Sequence, residues 1–261
     1  MTYTLIVCLA EKILTLVKIC LGNFLKLKMD NFFYDPPHGR VKILFEDDDF
    51  VAVDKPSGLL TVPGKDLRHK DSMLSRLQKE FPNISVIHRL DMDTSGIVLF
   101  AKNKTSQILV SKQFSERLVK KFYVARVLGQ IMKLSGTIVI PLAKDWPRRP
   151  LQKVCRKYGK FAKTRWRLLE SFSDPKGRMF SNLLIQPITG RTHQIRIHFK
   201  EIGFPIIGDN FYGNKYCKAI GRRLNLHAYS LKFYHAGRGC YLRLTTLDEK
   251  SHSLCDPNFV M

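Results

Sequence analysis

The chain has 261 residues, room for one large domain or two small ones, and its 44% hydrophobic and 11% aromatic content excludes a chain disordered by composition. Lys and Arg number 44 against 22 acids, a formal net charge of +22. An excess of that size points to a polyanionic partner, RNA or DNA ahead of anionic lipid, although a basic surface without a function gives the same count.

Residues 1–28 read MTYTLIVCLAEKILTLVKICLGNFLKLK. Glu11, Lys12 and Lys18 interrupt the apolar runs, so none approaches the roughly 20 residues of a membrane span. No basic residue precedes the first run, which argues against a secretory signal. Polar or small residues at Glu11, Thr15, Lys18, Gly22 and Lys26 fit an amphipathic helix. The alternative is a start-site artefact, with translation beginning at Met29. A single domain is expected over 29–261.

Segments 41–45 and 50–53 read as strands joined by the acidic turn 46–49. A Pro-Gly-containing loop follows. Residues 71–81 then have helical spacing, with Asp71 as cap. The apolar run 96–101 predicts a buried strand, and 104–118 a helix spaced by Ile108, Leu109, Phe114 and Leu118. Strands are predicted at 122–128, 137–140, 164–169 and 182–186, and a helix over 192–202 that stops at Gly203. Segments 224–234 and 241–246 close the chain as strands. Strands outnumber helices without strict alternation, so the expected class is α+β, with a mixed, largely antiparallel sheet flanked by helices and loops.

Six cysteines (Cys8, Cys20, Cys155, Cys217, Cys240, Cys255) form no CxxC pair and read as reduced thiols of a cytoplasmic protein. His193 and His198 are not spaced as a one-face metal pair on a helix, and no metal is expected. Between Arg148 and Arg167 lie nine basic residues and no acid, with Tyr158, Phe161 and Trp166 interleaved. Cations beside aromatic faces suit RNA phosphates and bases. Core aromatics on a strand with a solvated charged face give the same pattern.

Two segments gather chemistry. HRLDMDTSG (88–96) puts a base, acids, hydroxyls and a glycine in a loop at a strand edge, where sites often sit. A charged turn with local hydrogen bonds has the same composition. In GRTHQIRIH (190–198), Gly190 precedes the predicted helix and Arg191 stands at its start. Cations prefer the other helix end, so an anionic partner, carboxylate or phosphate, would explain Arg191.

HRLDMDTSG followed by IVLFAKN resembles the core motif of the RluA family of pseudouridine synthases. DKPSGLL (54–60), KFYVARVLG (121–129), PITGRTHQIRIH (187–198), GFPIIGD (203–209) and RLNLHA (223–228) resemble the family's other motifs, in order. The likeness covers nearly all of the chain from Met29. PLAKDWPRRPLQKVCRKYGKFAKT (141–164) is similar to the family's dual-specificity branch, and the short stretch before Val41 leaves no room for an S4 RNA-binding domain. The resemblance implies a cytoplasmic bacterial enzyme, a monomer without cofactor or membrane association. Its implied partners are tRNA, at the anticodon stem-loop, and 23S rRNA, at a stem-loop.

Pseudouridylation breaks the N1–C1′ bond, turns the base and rejoins it through C5. A carboxylate serves as nucleophile or as stabiliser of a sugar cation, and the resemblance gives that role to Asp91. It assigns Arg191 to a salt bridge that keeps Asp91 ionised. Arg89 matches the residue that fills the stack after the uridine flips out. Tyr123 matches the aromatic that stacks on the flipped base and handles a proton, and Ile195 matches the apolar wall of the pocket. His88, Lys55 and Lys121 are candidate substrate-binding residues. Asp93 falls at a variable position of the motif. Three other classes compete: an inactive RNA-binding protein of the same fold, disfavoured because Asp91 is kept; an RNA-cleaving hydrolase, disfavoured without paired histidines or an acid cluster; and a membrane-associated protein, resting on residues 1–28 alone.

Overall fold

The computed structural model describes residues 34–246, and those from Pro36 onward belong to one compact unit. The expectations for residues 1–28 lie outside the described residues. Among the described residues ten strands form one mixed sheet, in the order β1-β2-β4-β11-β5-β10-β9-β6, with β3 beside β4 and β12 beside β11. The strands are β1 (Lys42–Glu46), β2 (Phe50–Lys55), β3 (Ser85–Val86), β4 (Ser95–Ala101), β5 (Lys120–Leu128), β6 (Ser135–Val139), β9 (Lys163–Ser173), β10 (Met179–Pro187), β11 (Leu226–His235) and β12 (Cys240–Thr245). β7 (Leu142–Lys144) and β8 (Gln152–Val154) form a separate hairpin. All strand pairs are antiparallel except β4 with β11. The α+β class expected from the sequence is the class observed.

The parallel contact is short, and its close approach needs a glycine. Gly96 sits opposite Ala228 with φ +113°, and a Cβ there would lie 2.3 Å from the Ala228 carbonyl oxygen. Only glycine combines that φ with that approach. The register then runs Lys55, Gly96, Ala228, Tyr123, Ile185 straight across β2, β4, β11, β5 and β10. β4 is buried along its whole length, as its unbroken apolar run requires.

Four α-helices lie among the described residues: α1 (Met73–Leu77), α2 (Lys104–Ser115), α3 (Gln194–Glu201) and α4 (Lys215–Ile220). α1 is shorter than its spacing implied, and Ser72, not Asp71, caps it through a reciprocal bond with Ser75. Asp71 instead pairs with Arg76 at 2.6 Å. In α2 the buried residues are Ser106 and Val110, while Ile108 and Leu109 face outward. The cap on Asn103 and the Ser106–Asp49 hydrogen bond set that phase. α3 starts at Gln194, two residues later than expected, because His193 is left-handed at φ 55°. Gly203, at φ +86°, ends it as expected. The β7–β8 hairpin, β3 and α4 carry too little periodicity to be read in advance.

Candidate active site

The loop 88–94 is held by the segment that follows β2. Thr61 Oγ1 donates to the Leu90 carbonyl and accepts from the Leu90 N–H. Ser57 Oγ donates to the Asp93 carbonyl at 2.6 Å. The Met92 carbonyl accepts from both Gly58 N–H and Lys55 Nζ. Lys55 is fully buried and donates to three carbonyls, those of Pro56, Leu59 and Met92. Burial pushes its amine down to about 7, while Asp93, Asp91 and Asp54 pull it back. Three carbonyl acceptors need three N–H donors, which only the ammonium form has. The DKPSGLL segment is therefore a clamp on the backbone around Asp91. Lys55, a candidate for contacting substrate, has no free donor and no exposed surface for it.

The Asp91 side chain is 27% exposed, and its Oδ2 lies 3.9 Å from His193 Nε2 and 4.0 Å from Arg196 Nη1. Arg196 is buried and makes a two-pronged pair with Asp209, at 2.9 and 2.7 Å. Its guanidinium lies 5.0 Å from the Phe211 ring centre and 5.4 Å from that of Tyr212. Asp209 is held in turn by the N–H groups of Phe211 and Tyr212. Asp93 approaches the same arginine at 3.8 Å. One buried cation thus faces three carboxylates, with Lys55 as the second positive charge nearby. Burial raises the Asp93 carboxyl above 3.8, helped by Asp209 and Asp91 and opposed by Arg196 and Lys55.

Tyr123 lies on the central row of the sheet, packed between the core around Ile195 and the core beneath the Asp91 loop. Burial, then the charge of Asp91, raise its phenol well above 10, so it is a neutral O–H. Ile195 is 6% exposed and packs in the same core as Ile185 and Phe199. The structure brings Asp91, Tyr123 and Ile195 into one neighbourhood.

Arg191 is placed elsewhere. Its Nε donates to the Phe161 carbonyl at 3.1 Å, on the loop leading into β9. Arg196 occupies the place beside Asp91 that had been expected for Arg191. Arg191 lies ahead of the left-handed His193 and turns to the Phe161 carbonyl, whereas Arg196, within α3, faces Asp91, Asp93 and Asp209. His88 is also corrected. Its Nε2 accepts the Leu99 N–H at 3.0 Å and its ring stacks on Phe114 at 4.7 Å. Burial, with Lys121 nearby, pushes the imidazole down to about 3, so it is a neutral strut for β4. Lys121 is half-buried, with Nζ 5.8 Å from the Phe114 ring centre and close to Gly190. Arg89 is exposed.

The residues that sequence reading missed are His193, Arg196, Asp209 and Tyr212. Three of them stand in quoted motifs, but nothing in linear spacing distinguishes the arginine at 191 from that at 196. Among the described residues no group of His, Cys, Asp and Glu is arranged to hold a metal, and no helix is long and apolar enough to cross a membrane. His198 bonds Thr164 and the Ile140 carbonyl with its two nitrogens.

Two surfaces flank the site. A cleft of about 630 Å³ is lined by Asp93, Ser95, Asn210, Arg222, Arg223 and His227. Asp93 is among its walls and Asp91 is not, so this cleft reaches the carboxylate cluster from the Asp93 side. The β7–β8 hairpin and the loop after it expose Trp146, Tyr158 and Phe161 among Lys144, Arg148, Arg149, Arg156, Lys157 and Lys160. Arg149 lies over the Trp146 ring at 4.5 Å. Trp166, by contrast, is buried in the core. The mixed basic and aromatic stretch therefore divides into exposed rings on the hairpin side and a core ring on β9.

A family model described as RNA pseudouridylate synthase matches residues 49–201. The chain is 49% identical over 203 residues, 77% of its length and 81% of the relative's, to the dual-specificity RNA pseudouridine synthase RluA of Vibrio parahaemolyticus. It is 44% identical over 207 residues to the Escherichia coli K12 protein of the same name, covering 79% of this chain and 93% of that one. Among solved structures, human RNA pseudouridylate synthase domain containing 1 is similar at a TM-score of 0.70 and 28% identity, covering 84% of this chain and 89% of that one. Human RNA pseudouridylate synthase domain containing 4 shares the fold at a TM-score of 0.64 and 22% identity, over 82% and 90%.

Proposed function

The chain belongs to the RNA pseudouridylate synthase family, an isomerase family, and from that premise we propose that Asp91 is its nucleophile and that its targets are a uridine of the tRNA anticodon stem-loop and one of a 23S rRNA stem-loop. The reaction it catalyses turns uridine into pseudouridine within RNA. It moves the attachment of the ribose C1′ from N1 to C5 of the same base and needs no cofactor.

The observation that carries the Asp91 assignment is its setting. It is a half-buried carboxylate on a clamped loop, with His193, Arg196 and Tyr123 around it and a route to solvent. The carboxylate attacks C1′ of the flipped nucleotide and expels the base through N1, or adds to C6 of the base, after which the N1–C1′ bond breaks; C1′ then bonds to C5, the carboxylate is released and the C5 hydrogen leaves as a proton. Arg196 balances the charge through the chemistry. Tyr123, as a neutral phenol against the base, supplies a face and a proton donor. Arg89, exposed two residues before Asp91, fills the gap left by the flipped base, whose extrusion costs a few kcal/mol. Arg191, bonded to the Phe161 carbonyl, belongs to the basic hairpin side and faces phosphate rather than Asp91.

The dual target is supported by the dual-specificity names of the relatives and by the 141–164 stretch, which forms the exposed basic hairpin. The same reading has residues 29–261 as the catalytic domain of a monomer acting in the bacterial cytoplasm. Tritium release from uridine labelled at C5 tests it. Release is expected from an unmodified anticodon stem-loop and from the 23S stem-loop, and none from Asp91→Ala with either RNA. Release from one RNA only removes the dual target. Tight binding of both without release leaves an inactive RNA-binding protein.

A further inference from the structure

His193 is held in an uncommon state, packed against the rings of Phe211 and Tyr212. It is a non-glycine residue at φ 55°, ψ 19°, 7% exposed, with no capping bond from its side chain to α3. Left-handed residues other than glycine are uncommon and concentrate where the surroundings over-determine them. Its Nδ1 lies 2.7 Å from Tyr212 Oη, and its Nε2 faces Asp91 Oδ2 at 3.9 Å.

The proton positions follow from the neighbours. Tyr212 Oη accepts the backbone N–H of Gln152, at 2.9 Å, on the β7–β8 hairpin. Its own proton needs an acceptor, and His193 Nδ1 is placed to be one. Nδ1 then carries no proton, and Nε2 does. The other tautomer would turn an Nε2 lone pair toward the Asp91 carboxylate. At 3.9 Å the Nε2–H contact is long for a hydrogen bond, but such contacts shorten when a substrate closes the site.

Resting on the nucleophile reading above, we propose that His193 is a positioning residue: its Nε2–H orients the Asp91 carboxylate, and Tyr212 fixes that tautomer while tying it to the basic hairpin. The chain of bonds runs from Gln152 N–H to Tyr212 Oη, from Tyr212 O–H to His193 Nδ1, and from His193 Nε2–H to Asp91. It links the surface on which RNA docks to the group that attacks it.

The test compares wild type, His193→Asn, Tyr212→Phe and Asp91→Ala on stem-loop RNA, and reads the imidazole tautomer from ¹⁵N spectra of the intact protein. Asparagine tolerates the left-handed backbone but lacks the reach. His193→Asn is expected to lose about 10²-fold in kcat with little change in KM, the signature of lost orientation. Tyr212→Phe is expected to lose roughly tenfold in kcat and to release the tautomer. Wild-type kcat in His193→Asn, with Asp91→Ala inactive, overturns this inference alone. An Nδ1–H tautomer in the wild-type spectrum does the same, and it decides the matter should His193→Asn fail to fold. Turnover in Asp91→Ala overturns the nucleophile reading and this inference with it.

Discussion

Arg196 carries both structure and charge balance, and the two can be separated. Arg196 and Asp209 each have about 1% of the side chain exposed, so removing the arginine strands a carboxylate in the interior. Breaking one side of such a pair costs about 3–5 kcal/mol. Arg196→Gln is therefore expected to lower stability by that order in chemical denaturation and to abolish turnover, whereas Arg191→Gln keeps wild-type stability and loses RNA affinity. Equal stability in the two variants would contradict the placement of the arginines. Asp93 gives a prediction with a sign. Burial raises its pKa above 3.8, so the folded state holds the proton more tightly than the unfolded chain. Its contribution to stability is full below 3.8 and is lost as the pH rises through the raised value. Asp93→Asn should therefore keep turnover and melt no lower than wild type at pH 7, with the gap closing toward acid. A calorimetric Tm below wild type at pH 7 would refute this. The site was legible in its types but not in its partners. The motifs put Asp91 and Tyr123 forward, while the choice between Arg191 and Arg196 depends on how the chain turns at the left-handed His193.

At the scale of elements, the site is a product of the short parallel contact between β4 and β11. That contact brings the Asp91 loop, which feeds β4, alongside β5, which carries Tyr123. Gly96→Ala would drive a methyl into the Ala228 backbone at an unfavourable φ. It is expected to cost at least about 1–3 kcal/mol and to lower turnover by shifting the loop, as measured by urea unfolding and rate together. Unchanged stability would show that the strands do not need this approach. The long strands and the buried run of β4 were readable from alternation and apolar length. The facing of α2 was not, since its cap and a bond to Asp49 outrank its apolar spacing. Nor was the register of α3, where Gln194 to Phe199 are all buried and no polar face marks the outside.

At the scale of the whole molecule, part of the +22 charge is exposed beside three exposed aromatic rings on and after the β7–β8 hairpin. Binding driven by phosphate neutralisation weakens with salt, by a log–log slope of about −0.7 per contact for single-stranded RNA. Arg156→Gln and Lys157→Gln are each expected to flatten that slope by about 0.7–1 in filter binding, across both RNAs alike. A slope unchanged in both variants would move the docking surface elsewhere, Arg222 and Arg223 being the next candidates. We propose that one carboxylate on a clamped loop performs the isomerisation. The most direct test is single-turnover pseudouridine formation by Asp91→Asn beside its affinity for the same stem-loop. Wild-type affinity with no pseudouridine formed is the expected result. Pseudouridine formed by Asp91→Asn at a rate near wild type would contradict the account.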